Sequence, residues 1–87
     1  MLEVTQSAGK AIKIFLEHRD SLETHSMRLT VRDGDLAIVL DEPVSGDISF
    51  LEGDDQHPLV VAEPALAERL EGYTLDYQSE SSQLVIK

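Results

Sequence analysis

Cysteine is absent from this chain of 87 residues. Disulfides, thiolate metal sites and redox thiols are therefore excluded within it. Tryptophan is absent too, and Phe and Tyr number two each, so aliphatic side chains must make most of the core. Basic residues are scarce: seven Lys and Arg against 17 Asp and Glu give a net charge of −10 at pH 7. Phosphate backbones and anionic membrane surfaces repel such a chain, which argues against nucleic-acid and membrane partners. Long apolar runs are also missing. The longest, Leu36-Ala37-Ile38-Val39-Leu40, falls well short of the roughly 20 residues that a membrane helix needs. The opening MLEVTQSAGK lacks the apolar stretch of a signal peptide, and a cytoplasmic location is expected.

The balance that is present, 41% hydrophobic and 28% charged, is that of a globular protein. One domain over residues 1–87 is expected, burying about 60% of the surface its unfolded chain exposes. Charge is unevenly placed along it. Lys10, Lys13, Arg19, Arg28 and Arg32 precede residue 33, and no Lys or Arg occurs between Asp33 and Glu68. An acidic surface at Asp54 and Asp55 is thus a candidate for docking a protein partner with a basic surface. The plainer reading of the same carboxylates is a solvated, solubilising face.

Apolar spacing gives the elements. Leu2 to Val4 reads as a short edge strand. Thr5 is a suitable N-cap, and Ala8, Ala11, Ile12, Phe15 and Leu16 follow at helical spacing to about Arg19. Gly9 costs that helix roughly 1 kcal/mol relative to Ala. Residues 20–25 are polar and read as a loop. Met27 to Arg32 alternates apolar and polar, Asp33-Gly34 is a preferred hairpin turn, and Asp35 to Asp41 returns. That turn pairs Arg32 with Asp35, Val31 with Leu36, Leu29 with Ile38 and Met27 with Leu40. The apolar partners then share one face, and a one-residue slip would send each to the wrong side.

Ile48 and Phe50 alternate in a further strand, a loop with Gly53, Asp54 and Asp55 follows, and Pro58 to Ala62 reads as a buried strand. Pro64 suits the first position of a short helix, with Leu66 and Leu70 on one face, and Gly72 suits the left-handed position beyond it. Tyr73, Leu75 and Tyr77 alternate with Thr74 and Asp76, and Gln83 to Lys87 closes a hairpin. Asp76 faces away from its apolar neighbours and would take hydrogen bonds from backbone or from a helix end. The sum is an α+β fold, with a small, mostly antiparallel mixed sheet and two helices on it.

Chemistry-bearing patterns are thin. His18, His25 and His57 are scattered over a helix end and two loops, without metal spacing. Glu52-Gly53-Asp54-Asp55 lacks the alternating carboxylates of a calcium loop. No Gly-x-Ser-x-Gly elbow occurs, and Ser79, Ser81 and Ser82 are ordinary turn composition. Lys10 and Lys13 fit a solvated helix face better than an anion site. No catalytic residue, cofactor site or metal ligand is assigned, and no enzyme is expected.

Several stretches, in their order, resemble the HesB-like family, the A-type iron–sulfur carriers. They are EVTQSAGKAIKIFLEHR, the strand Met27 to Arg32, Asp41-Glu42-Pro43 with Asp47-Ile48-Ser49-Phe50, and above all Leu70-Glu71-Gly72-Tyr73-Thr74-Leu75-Asp76-Tyr77. The resemblance covers nearly the whole chain and implies the HesB-like type of sheet. It also implies three cysteine ligands, one in a loop after the first long strand and two in a C-terminal Cys-Gly-Cys. Here that loop is reduced to Asp33-Gly34, and the second element would fall beyond Lys87, so no ligand carries over. The expectation is a non-catalytic, HesB-like protein-interaction module that has lost cluster ligation and is related to iron–sulfur cluster assembly. The alternative is a small-ligand or metal-binding protein using carboxylates and histidines.

Overall fold

The computed structural model describes residues 1–87, the side chain of Asp55 excepted. Strand β1 is Glu3–Val4 and helix α1 is Gln6–His18. Thr5 caps α1 as its residue type demands: the backbone there is extended, and its hydroxyl accepts the Ala8 amide at 3.1 Å. The apolar stripe turns Ala8, Ile12 and Leu16 fully inward. Gly9 has a packing reason, since a Cβ there would stand 3.3 Å from Leu51 Cδ2. That glycine lets the helix approach the neighbouring strand closely.

Strands β2 (Ser26–Arg32) and β3 (Asp35–Asp41) form the expected hairpin. Asp33 and Gly34 both have positive φ, 51° and 83°, which is the turn whose twist matches flanking strands. The register is Arg32 with Asp35, Val31 with Leu36, Leu29 with Ile38 and Met27 with Leu40, as the pattern requires. Arg32 and Asp35 are opposite in register, yet no ion pair forms between them among the described residues.

Strand β4 (Ile48–Glu52) leads into a single 3-10 turn at Asp54–Gln56, then β5 (Pro58–Ala62), α2 (Pro64–Arg69), β6 (Thr74–Gln78) and β7 (Gln83–Ile86). The sequence reads a loop with Gly53, Asp54 and Asp55 here. That loop is closed by the Gly53 amide donating to the His57 carbonyl at 2.9 Å.

The single sheet expected from the sequence is in fact two. One has four strands in the order β3-β2-β5-β4, the other three in the order β1-β6-β7. Each mixes one parallel pair, β2 with β5 and β1 with β6, into otherwise antiparallel neighbours. The division arises at α2. Before it, β5 returns beside β2; after it, β6 joins β1 instead. One core serves both sheets. Ile12 and Leu16 of α1 lie in the same buried cluster as Leu29 and Val60 of the larger sheet and Leu75 of the smaller. The α+β class with two helices and mixed sheets stands. No helix among the described residues is long and apolar enough to cross a membrane.

Candidate functional site

Asp54 is exposed on the 3-10 turn between β4 and β5. The side chain of its companion, Asp55, lies outside the described residues. Asp54 and Glu52 border an open groove of about 440 Å³ whose other wall is α1, with Lys10 and Lys13. The fold therefore brings the acidic stretch against two of the few basic residues, which compensate its field locally. His18 ends α1. His57 Nε2–H donates to the backbone carbonyl of His25 at 2.9 Å, so this ring serves the backbone. Among the described residues no group of three or more His, Asp and Glu is placed to hold a metal.

Two polar networks escaped the sequence pattern, wholly or in part. The first centres on Arg28, on the outer face of β2. Its guanidinium donates to both oxygens of Asp47, at 2.9 and 2.7 Å, to Asp41 Oδ2 at 2.9 Å and to the Glu42 carbonyl at 3.2 Å. The Arg28 and Asp47 side chains are only 14% and 7% exposed. Asp47 also accepts the Val44 amide at 2.8 Å, so the network fastens the whole segment between β3 and β4. The forked pair holds the Asp47 carboxyl below the usual carboxylate range and raises the guanidinium above its own. Alternation alone placed Arg28 on a polar face. Its partners lie 13 and 19 residues away, beyond the reach of any periodicity.

The second network centres on Asp76. Thr5 Oγ1 and Ser7 Oγ donate to its Oδ1 at 2.7 and 3.0 Å, and Lys87 Nζ lies 3.0 Å from Oδ2. The Thr5 hydroxyl first, then the Lys87 ammonium, hold this carboxyl well below the usual range. The sequence leaves backbone or a helix end as donors. The structure supplies the Tyr77 backbone and hydroxyls at the N-terminus of α1, where a negative charge is favoured.

Exposed apolar side chains mark the remaining surface. At the far end of the hairpin the apolar face outruns the core. Val31 and Leu36, register partners, are 48% and 40% exposed, and Leu40 is exposed near the other end. Asp33 and Asp35 flank the first two, with no ion-pair partner among the described residues. A second apolar concavity of about 630 Å³ lies between α1 and the β6–β7 hairpin, lined by Ile14, Phe15, Met27, Tyr77 and Leu84, with Lys10 at its margin. No protein-family model and no curated protein matches the chain.

Proposed function

We propose that this chain is a non-catalytic, cytoplasmic protein-interaction module of the HesB-like type, related to iron–sulfur cluster assembly and no longer a cluster ligand. Its partner presents a basic surface. The observation that carries the interaction reading is the hairpin end. There exposed Val31 and Leu36 sit beside Asp33 and Asp35, with Arg32 the one basic residue at the turn. Apolar surface rimmed by charged side chains, here two carboxylates to one guanidinium, is the composition of a docking patch. The HesB-like part rests on the order of the resembling stretches. Their carboxylates are framework ties in this fold: Asp41 and Asp47 hold Arg28, and Asp76 holds the start of α1.

The test has two arms. Capture from native lysate on the immobilised protein is expected to retain a partner with a basic surface, and to lose it with Val31→Glu and Leu36→Glu, whose side chains are already exposed. Anaerobic incubation with iron and sulfide is expected to leave no charge-transfer absorption after desalting. A partner retained equally by the double variant overturns the docking patch. Stoichiometric iron and sulfide on the desalted protein overturns the loss of ligation.

A further inference from the structure

Four strands lie at sheet edges: β3 and β4 in the larger sheet, β1 and β7 in the smaller. Edges are hazardous because their unpaired amides and carbonyls recruit other chains, and proteins blunt them by shortness, bulges, proline or lysine. Three of these four are blunted. β1 has two residues and β7 four, while the pairing of β4 is broken by register shifts on either side of Leu51. β3 is not. It runs seven residues, Asp35 to Asp41, without proline, lysine or register shift, and its middle is wholly apolar.

The register identifies the open groups. A two-residue turn makes Arg32 and Asp35 a hydrogen-bonded pair, and bonded pairs then alternate along the ladder. Asp35, Ala37, Val39 and Asp41 therefore face β2 with their amides and carbonyls. Leu36, Ile38 and Leu40 turn theirs outward, away from the sheet. Among the described residues none of these three amides finds a backbone partner outside the ladder. A strand laid along β3 would collect them all.

The charges say which strand. Asp35 and Asp41 mark the two ends, six residues apart, or about 20 Å at roughly 3.4 Å per residue. Asp35 has no ion-pair partner among the described residues, and Asp41, tied to Arg28, keeps half its side chain exposed. A second copy of the chain is a poor occupant. Antiparallel pairing centred on Ile38 sets Asp35 of each copy opposite Asp41 of the other, and like charges directly opposite are destabilising. Each copy also carries −10. We propose that β3 is a docking edge, which accepts an extended segment of a partner protein as a fifth strand of the larger sheet. That segment carries a basic residue at each end of a short alternating apolar stretch. Main-chain bonds to Leu36, Ile38 and Leu40 supply affinity, and the terminal charges supply selection. This rests on the interaction reading above and names the partner's chemistry.

The probes are two blocked peptides, Lys-Val-Thr-Val-Thr-Val-Lys and its counterpart with Glu at both ends. Solvent exchange of the Leu36, Ile38 and Leu40 amides is followed by NMR. With the basic peptide at about ten times its dissociation constant, exchange of these three is expected to slow about tenfold, and the acidic peptide to leave it unchanged. Ile38→Pro, which removes an outward amide and none that faces β2, is expected to weaken binding while the β2–β3 register persists. Equal slowing by both peptides, or no binding of either at millimolar concentration, overturns the proposal. So does slowing of the same amides on concentrating the protein alone, which would make the occupant a second copy. Shifts of the Val31 and Leu36 methyls without slowing of the three amides overturn strand addition but leave the interaction module standing.

Discussion

Replacing Arg28 by methionine removes the guanidinium and keeps most of the side chain's apolar volume. What it leaves behind sets the size of the effect. Asp47, 7% exposed, keeps only the Val44 amide as a partner. Breaking a buried ion pair from one side costs about 3–5 kcal/mol, because the abandoned charge stays desolvated. Arg28 sits at the edge of the protein with Asp41 half exposed beside it, so water reaches the site and the lower end, about 3 kcal/mol, applies. With a urea slope of about 1 kcal/mol per molar for a small domain, the unfolding midpoint falls by about 3 M. Asp41→Asn is the internal control. Its carboxylate is 52% exposed, and exposed pairs contribute at most about 1 kcal/mol. Arg28→Met with Asp47→Leu, which removes both charges, is expected to recover most of the loss. Urea unfolding followed by circular dichroism reads all four proteins. An Arg28→Met protein within about 0.5 kcal/mol of the parent, or no less stable than Asp41→Asn, would refute the argument that this network anchors the β3–β4 connection.

Other outcomes follow from the same geometry. Asp47 and Asp76 bind protons less readily folded than unfolded, so their stabilisation is complete above the ordinary carboxylate value, about pH 4, and is lost as pH falls below it. Asp76→Asn is expected to flatten that acid limb of the stability profile, and an unchanged limb counts against the Thr5–Lys87 tie. Gly34→Ala, at φ +83°, is expected to lose about 1 kcal/mol or more, lowering the melting temperature by about 4–8 °C for a domain this size. Association with the basic peptide is expected to slow more in Asp33→Asn with Asp35→Asn than in Asp54→Asn with Asp55→Asn, because Asp35 lies on β3 itself while Asp54 shares its groove with Lys10 and Lys13. Stopped-flow rates at low and high salt decide this, and the reverse order refutes it.

What was legible in the sequence was local. The β2–β3 register followed from alternation and one Asp-Gly turn, because period and turn type over-determine it. The Thr5 cap and the stripe of α1 followed from residue type and spacing. The partition into two sheets was not legible. It depends on whether β6 joins β5 or β1, and each choice satisfies the same alternation of Leu75 and Tyr77. The Arg28 hub was hidden for a similar reason. Its partners lie across a connection whose path no local preference dictates. The acidic stretch was legible as composition, but its setting against Lys10 and Lys13 depended on where α1 lies over β4.

Strand β1 bears on the order in which the chain folds. Its two residues pair with Thr74 and Leu75, closing a loop of roughly 70 residues at an entropic cost of about 4 kcal/mol. Against this stand two flanking backbone bonds, Glu3 to Tyr73 and Thr5 to Leu75, and the burial of Leu2, the last contributing about 1.5–3 kcal/mol. Such a strand docks only after other contacts have already brought β6 near it. The β6–β7 hairpin can form by itself, but until then one edge of β6 stands open. Thr5 arrives with β1, and the hydroxyl that caps α1 is the one that donates to Asp76. Capping the long helix and completing the smaller sheet therefore converge on one hydroxyl.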